Sequence, residues 1–217
     1  MNAASVKTGI RKISRIMAEN KDYLIKLDQQ NGDGDLGVSM SEGFEAAAVF
    51  VEGTSETDLG KILMQTGGVF NEAAPSSLGT IISFAFMGMA KSLKGKTEAG
   101  LPEFAEAVMA GVQKIMDKAG SKPGEKTILD SIYPAAESLL ADRDGDFKEA
   151  LRNAAEKAAE GSESTRSMKS VHGRAAYYGE KSIGLLDGGS VVGRLIFEHC
   201  LNKRFWPERP DISRLME

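Results

Sequence analysis

The sequence predicts an all-α fold, an antiparallel barrel or bundle of eight helices. Three observations carry the prediction. Apolar residues recur at the helical period in nearly every segment, alternation of β-branched residues at period two is nowhere sustained, and Gly, Pro or Ser/Thr/Asp punctuation separates the periodic stretches. Short connections between amphipathic helices favour antiparallel neighbours. A chain of 217 residues can bury one core large enough for all eight, so 1–217 is read as a single domain.

The first helix, 3–29, is drawn by Val6, Ile10, Ile13 and Met17, and its stripe runs on through Leu24 and Leu27. Its basic, acid-poor start is like that of a transit peptide, but the periodic stripe marks a structural helix. The second, 38–52, sets Phe44, Ala47, Ala48 and Val51 against Ser41 and Glu45. Helices 56–71 and 77–94 keep the period; the apolar run IISFAFMGMA stops at Lys91, short of the roughly 18–20 residues that cross a bilayer, and no membrane span is expected. The fifth, 101–119, repeats the device with Phe104, Val108, Val112 and Ile115. Gly120 ends it, Pro123 and Gly124 shape a turn, and Thr127 opens helix 127–141 with Asp130 in a variant capping box. The carboxylates of DRDGDF (142–147) cap the next helix, 147–169, since an EF-hand register there fails at Phe147 and Asn153. The last helix, 189–203, opens near Gly188, Gly189 and Ser190, and the tail KRFWPERPDISRLME reads as a frayed terminus rather than a docking appendage.

Composition narrows the function classes. Apolar residues make up 41%, charged residues 27%, and the formal net charge is −4, the balance of a soluble globular protein. Lys and Arg are scattered among Asp and Glu, which gives a nucleic-acid groove no support. The single Cys200 excludes an internal disulfide framework, no Cys/His cluster suggests structural zinc, and a reducing, cytoplasmic location is expected.

Between the first two helices lies LDQQNGDGDLGVSM, residues 27–40, where Asp28, Asp33 and Asp35 crowd together among Gly32, Gly34 and Gly37. Three carboxylates on a short loop repel unless a cation sits among them, and oxygen ligands on a glycine-bent backbone suit a hard ion such as Mg²⁺ or Ca²⁺. An EF-hand register starting at Asn31 is spoiled by Leu36, which stands where the sharp turn needs Gly, and it leaves Asp28 without a role. A metal-free account, with Gly32 ending one helix and Asp35 capping the next, covers only two of these residues. Mg²⁺ takes few protein ligands and completes its shell with water and phosphate oxygens, so a phosphate ligand is implied.

Two other stretches bear on phosphate chemistry. GSKPGEKT, residues 120–127, imitates a nucleotide P-loop but has Glu125 where the second Gly belongs, and a helix rather than a strand precedes it. It is read as a turn. The glycine-rich stretch HGRAAYYGEKSIGLLDGGS, 172–190, holds Arg174, Glu180, Lys181 and Asp187 and leads into the last helix, whose amino end is a natural anion site. An Arg nearby can neutralise charge in phosphoryl transfer, or it can simply pair with a carboxylate and staple the loop. His172 and His199 have no Ser or Cys partner at suggestive spacing, and His199 is read as a helix-surface residue.

LDQQNGDGDLGVSM, KPGEKTILDSIYPAAESL and GRAAYYGEKSIGLLDGGS, taken together and in this order, resemble the nucleotide-binding L subunit of bacterial dihydroxyacetone kinase, a unit also found as the second domain of ATP-dependent single-chain kinases. The resemblance runs over nearly the whole chain and implies a barrel of eight antiparallel helices with ADP or ATP at one end. It implies two Mg²⁺ held by Asp28, Asp33 and Asp35, nucleotide contacts from Leu36, Gly37, Val38, Ser39, Gly120, Ile128, Asp187, Gly188 and Gly189, and Arg174 beside the transferred phosphoryl group. The implied partner is a separate K subunit that binds the ketose through its own histidine. In phosphotransferase-linked forms a multiphosphoryl protein rephosphorylates bound ADP, and in other forms ATP exchanges. The sequence leaves a homodimer open.

Three departures stand out. Leu36 replaces the His or Thr common in that family, EAAPSSLGT replaces a segment resembling GASGPLFGT and puts Ala73 and Ala74 at its contact positions, and DGG replaces DPG. They spare the metal ligands and leave open the donor and the ketose, a tetrulose included. The competing reading is a regulatory paralogue that senses nucleotide or metal without transfer; the intact carboxylates and Arg174 favour the kinase subunit.

Overall fold

The computed structural model describes residues 1–198. Among them are nine α-helices and no strand: α1 Ala3–Glu19, α2 Lys21–Asp28, α3 Leu36–Gly53, α4 Leu59–Ala73, α5 Ser77–Ser92, α6 Leu101–Ala119, α7 Leu129–Ala141, α8 Phe147–Ser164 and α9 Gly188–Glu198. His199, Cys200, the end of the last expected helix and the tail lie outside the described residues.

The eight expected rods are present, and the first is broken. The stripe Val6, Ile10, Ile13, Met17, Leu24 and Leu27 is buried along its whole length, as the period requires. At Asn20, however, the backbone leaves the helical region (φ −108°, ψ 8°) and the side-chain amide donates to the Ile16 carbonyl at 2.8 Å. A short amide side chain competing for backbone partners interrupts a helix in this way while leaving its apolar face in line. Other ends shift by a few residues. Helix α3 starts at Leu36 rather than 38, α4 waits for Asp58, whose carboxylate accepts from the amides of Gly60 and Lys61, and α8 ends at Ser164 in a short 3₁₀ turn. Asp146 caps α8 through the amides of Lys148 and Glu149, as the acidic DRDGDF segment suggests.

The helices form a closed ring. Consecutive members from α3 to α9 pack on one another, α1 packs on α3, and α9 closes the ring against α1, α2 and α7. An aromatic ladder crosses three of them: the Phe44 and Phe70 ring centroids lie 4.7 Å apart edge-on, and those of Phe70 and Phe86 lie 6.0 Å apart. One connected cluster of buried residues lines the interior. It surrounds an apolar lumen of about 760 Å³, walled among others by Ile13, Phe44, Ile82, Phe86, Val112 and Ile115.

The walls are held close by small residues. A Cβ at Gly88 of α5 would lie 2.4 Å from the Ala110 carbonyl of α6. The α7–α8 contact uses a different device. Pro134 inside α7 has no N–H to offer the Asp130 carbonyl four residues back, and Gly161 of α8 lies over that carbonyl, where a Cβ would come within 2.0 Å. Replacing Gly161 by Ala is expected to cost about 1–3 kcal/mol in urea unfolding, an overpacking effect. Gly68 in α4 has open space around its missing Cβ, and the same replacement there is expected to stabilise by about 0.5–1 kcal/mol through helix propensity.

Candidate functional site

In an up-and-down ring the ends of some rods and the starts of the next share a rim. The expected site residues follow that rule. They come from the end of α2 and the loop after it, the start of α3, the end of α4, the end of α6, the start of α7, the start of α9 and, for Arg174, the stretch between α8 and α9.

On this rim α2 stops at Asp28, and residues 29–35 turn the chain into α3. Gly32 and Gly34 have separate jobs. A Cβ at Gly32 would lie 2.1 Å from Asp28 Oδ1, so any other residue would displace that carboxylate. Gly34 takes φ +80°, which glycine alone adopts freely, and its amide donates to Asp28 Oδ2 at 2.7 Å. The metal-free account of the loop is not what forms: Gln29, not Gly32, follows α2 as its cap, and the Asp35 carboxylate makes no capping hydrogen bond. Instead Asp28, Asp33 and Asp35 each present an oxygen within 4.8 Å of the others, Asp28 half-buried and the other two exposed. Partial burial, then the charges of Asp33 and Asp28, push the Asp35 carboxyl above its usual range, and Arg174 opposes them. An all-oxygen, like-charged cluster open on one side suits a hard divalent cation that keeps room for water or phosphate oxygens.

Arg174 reaches this cluster from far along the chain. Its Nη2 lies 2.8 Å from Asp33 Oδ2, with the side chain 69% exposed. The glycine-rich stretch that carries it forms 3₁₀ turns over Arg174–Ser182, kinked at Gly179. Lys126, unremarked in the sequence, anchors that stretch: its Nζ donates to the carbonyls of Met168 (3.1 Å), Ser182 (2.6 Å) and Leu185 (2.7 Å). Lys126 is also the only non-glycine residue with positive φ (60°) among the described residues. That backbone costs about 1–2 kcal/mol; the three hydrogen bonds from the ammonium act against it, and burial of the charge takes back part of what they contribute. Burial pushes the Lys126 amine below its usual range, and Asp187 opposes the shift. Beside it, Glu125 Oε2 meets His172 Nε2 at 2.6 Å, and this contact leads the effects that hold the Glu125 carboxyl low. The capping residue Asp130 accepts from the amides of Thr127 (2.6 Å) and Gly124, so the turn once compared with a P-loop is tied to its own helix.

At the start of α9, Asp187 Oδ2 accepts from the Ser190 amide at 2.6 Å. The helix end therefore offers fewer unpaired amides than the sequence suggests, since the chain's own carboxylate takes one. Burial pushes the Asp187 carboxyl up to about 7; the Ser190 amide opposes this, Asp130 and Asp28 add to it, and Lys126 again opposes. Gly188 and Gly189 sit against neighbours on the same rim. A Cβ at Gly188 would lie 2.6 Å from Leu36 Cδ2, and one at Gly189 would lie 3.3 Å from the Ile128 amide. Leu36 is buried, so two of the departures noted in the sequence, Leu36 and DGG, occupy one another's space.

The remaining expected residues spread along the rim. Gly37 lies under the Lys21 carbonyl, 2.2 Å from where its Cβ would be, and Val38 is half-buried beside it. Ser39 is buried and accepts from the Ser76 hydroxyl at 3.3 Å, joining the starts of α3 and α5. Ala74 is fully buried under Gly43 and Gly79, whereas Ala73 is half-buried. Gly120 closes α6 in the left-handed conformation and starts the turn that bears Glu125 and Lys126.

Two predictions follow from these contacts. Because the folded Asp187 pKa lies above its usual 3.8, the folded state holds that proton more tightly. Metal-free protein therefore loses stability as pH rises from 5 to 7, by at most about 1.4 kcal/mol per pH unit, and levels off above. Carboxyls held low, such as Glu125, have delivered their stabilisation by pH 5 and do not mask this window. Urea unfolding of Asp187→Asn should show a smaller slope, the remainder coming from Asp35 and Glu198, whose carboxyls burial also pushes up. In a double-mutant cycle, Gly188→Ala should destabilise the parent and be neutral or stabilising beside Leu36→Ala, a coupling of about 1 kcal/mol.

Comparison with known proteins shows the family and the fold. Residues 30–202 match the DAK2 domain. The chain is 33% identical over 187 residues to the ADP-binding subunit of PEP-dependent dihydroxyacetone kinase 1 of Listeria innocua, covering 84% of this chain and 87% of that protein. It is 27% identical over 196 residues to the corresponding Escherichia coli subunit, covering 88% and 92%. It is 28% identical over 191 residues to the L-erythrulose 1-kinase of Mycolicibacterium smegmatis, spanning 87% of this chain and 34% of that protein. In fold it is similar to the dihydroxyacetone kinase from C. freundii in complex with AMP-PNP and Mg²⁺, with a TM-score of 0.71 at 21% identity over 90% of this chain and 33% of that one. A ring of helices with three carboxylates and an arginine on one rim, matched in sequence over most of its length, makes this chain a member of the DAK2 domain family.

Proposed function

We propose that this chain, as one nucleotide-binding domain, is the phosphoryl-transferring subunit of a kinase for dihydroxyacetone or a close ketose. The sugar is held by a separate K subunit, and the terminal phosphoryl group comes from Mg-bound nucleotide on this chain. The observation that carries the reading is the set of Asp28, Asp33 and Asp35 oxygens within 4.8 Å, with Arg174 on Asp33. The names of the PEP-dependent relatives support ADP kept in place and recharged by a phosphotransferase multiphosphoryl protein. The name of the erythrulose kinase supports a four-carbon ketose as a second candidate substrate.

The three aspartates would hold Mg²⁺, two ions on this reading, which when bound neutralise phosphate charge and orient the phosphoryl group for in-line transfer. Arg174 neutralises charge that develops on the transferred oxygens. The start of α3, Leu36 to Val38, offers first-turn amides to the phosphates, and the Ser39 amide closes the turn on the Asp35 carbonyl at 2.9 Å. Gly188 and Gly189, with no Cβ, let the α9 start close on Leu36 and Ile128 beside Asp187, and Gly120 and the half-buried Ala73 border the nucleotide's path, with the buried Ala74 and Ile128 behind them. Among the described residues the one histidine, His172, is engaged by Glu125 at 2.6 Å, and the ketose is assigned to the partner subunit.

Calorimetry with ADP and Mg²⁺ tests the reading. Asp33→Ala should lower nucleotide affinity about 100-fold or more, as loss of a metal ligand does, and undiminished binding would overturn it. With a purified K subunit, dihydroxyacetone and each donor in turn, the wild type should form ketose phosphate, whereas a nucleotide sensor would form none. Arg174→Ala should reduce kcat about 10³-fold while nucleotide affinity stays within a few-fold.

A further inference from the structure

We propose that Lys126 is a positioning residue for phosphoryl transfer: its ammonium group gathers the carbonyls of Met168, Ser182 and Leu185 and so sets where the Arg174 guanidinium lies over the carboxylates. The inference rests on the functional reading above and names the device that places its arginine.

The loop from 168 to 187 has a single buried apolar side chain, Leu186, at its far end. Val171, Tyr178 and Ile183 are exposed, and Tyr177 is 92% exposed. Its 3₁₀ turns are interrupted at Gly179. Besides the bonds from Lys126, its ties are short-range or at its ends: the Ser170 amide to Ser182 Oγ at 3.0 Å, Ser182 Oγ to the Gly179 carbonyl at 2.6 Å, the exposed Lys169–Glu180 pair at 2.9 Å, and Arg166, which holds Gly184 through its carbonyl (2.7 Å) and its Nη1 (3.1 Å). A segment of this kind samples many positions unless polar bonds fix it. Lys126 supplies three such bonds from a rigid element, the turn capped into α7 by Asp130. The acceptors lie on both sides of Arg174 in the sequence, so a single ammonium closes the segment into a loop with the arginine near its middle. An ammonium has three donors, and each meets a carbonyl. Lys126 is 3% exposed, so these bonds are sheltered from water, and the neighbouring Glu125–His172 pair adds a second tie at 2.6 Å. Among the described residues the left-handed backbone of Lys126 is otherwise confined to glycine, and a glycine there would offer no ammonium.

Lys126 has no contact with the carboxylate cluster, so its effect on catalysis runs through Arg174. Lys126→Met keeps the stem and removes the donors. In metal-free, nucleotide-free protein, the amides of 168–185 should exchange about tenfold faster while those of α3 to α6 stay unchanged. In the complete kinase, kcat should fall about 100-fold with nucleotide KM within threefold, as expected when a catalytic group is misplaced by an ångström. In an Arg174→Ala background the same substitution should cause no further loss in kcat, because no guanidinium is left to place. Unchanged exchange, or a full additive loss beside Arg174→Ala, overturns the proposal. The exchange experiment needs no turnover, so it stands even if no kinase activity is found; unchanged kcat with a loosened loop sinks the positioning role alone. If Lys126→Met does not fold, amine labelling of the wild type decides: Lys126 should be among the slowest lysines to react, and a rate equal to that of exposed Lys148 overturns the clasp.

Discussion

Three like charges within 4.8 Å of one another are the constraint around which this molecule is arranged. At such distances each pair repels by about 1 kcal/mol in water and by several times that where protein excludes it. The loop can bear this only because other parts of the chain hold it. Asp28 is fixed by the Gly34 amide, and Arg174 contributes a counter-charge from a loop far along the chain. That loop in turn needs the turn before α7, and α7 needs α9 to close the ring behind it. Repulsion at the rim is thus supported by packing around the whole circumference.

The ring divides labour along its axis. The buried apolar cluster that lines the ring carries the stability, with the aromatic ladder of Phe44, Phe70 and Phe86 stiffening three walls. The polar rim carries the chemistry. Behind the exposed carboxylates lies a second, more sheltered layer in which Lys126 faces Asp187 and Asp130 ties up the Gly124 and Thr127 amides. Charges of both signs in a sheltered layer fix geometry rather than add much stability, because each costs desolvation. This suits a site whose outer members must be free to exchange partners.

How much of this was legible in the sequence depends on the range of the interaction. Helices drawn by Val6, Ile10, Ile13 and Met17, or by Phe44, Ala47 and Val51, announce themselves because their period is local, and those residues are buried. The carboxylate cluster was legible for the same reason: Asp28, Asp33 and Asp35 lie on one loop, and glycines between them signal a bend. The break at Asn20 was not, since the apolar stripe continues through it in register and only the side-chain bond to Ile16 marks it. Lys126 was not legible either. It reads as a surface lysine in a turn, and what buries it are carbonyls 42 to 59 residues later, which no local pattern contains. The pairing of Arg174 with Asp33 was anticipated only in kind, as an arginine near some carboxylate.

The contact between Leu36 and Gly188 has a consequence for how such a rim can change over time. A Cβ at position 188 would fall 2.6 Å from the Leu36 side chain, so the two positions share one volume. Relief is available at the tip of the Leu36 side chain, which can turn aside about its own torsions. The pair therefore constrains rotamers rather than residue identity: a side chain added at 188 and a long one at 36 coexist when the one at 36 swings away, and the direction in which it swings sets the shape of that corner of the rim.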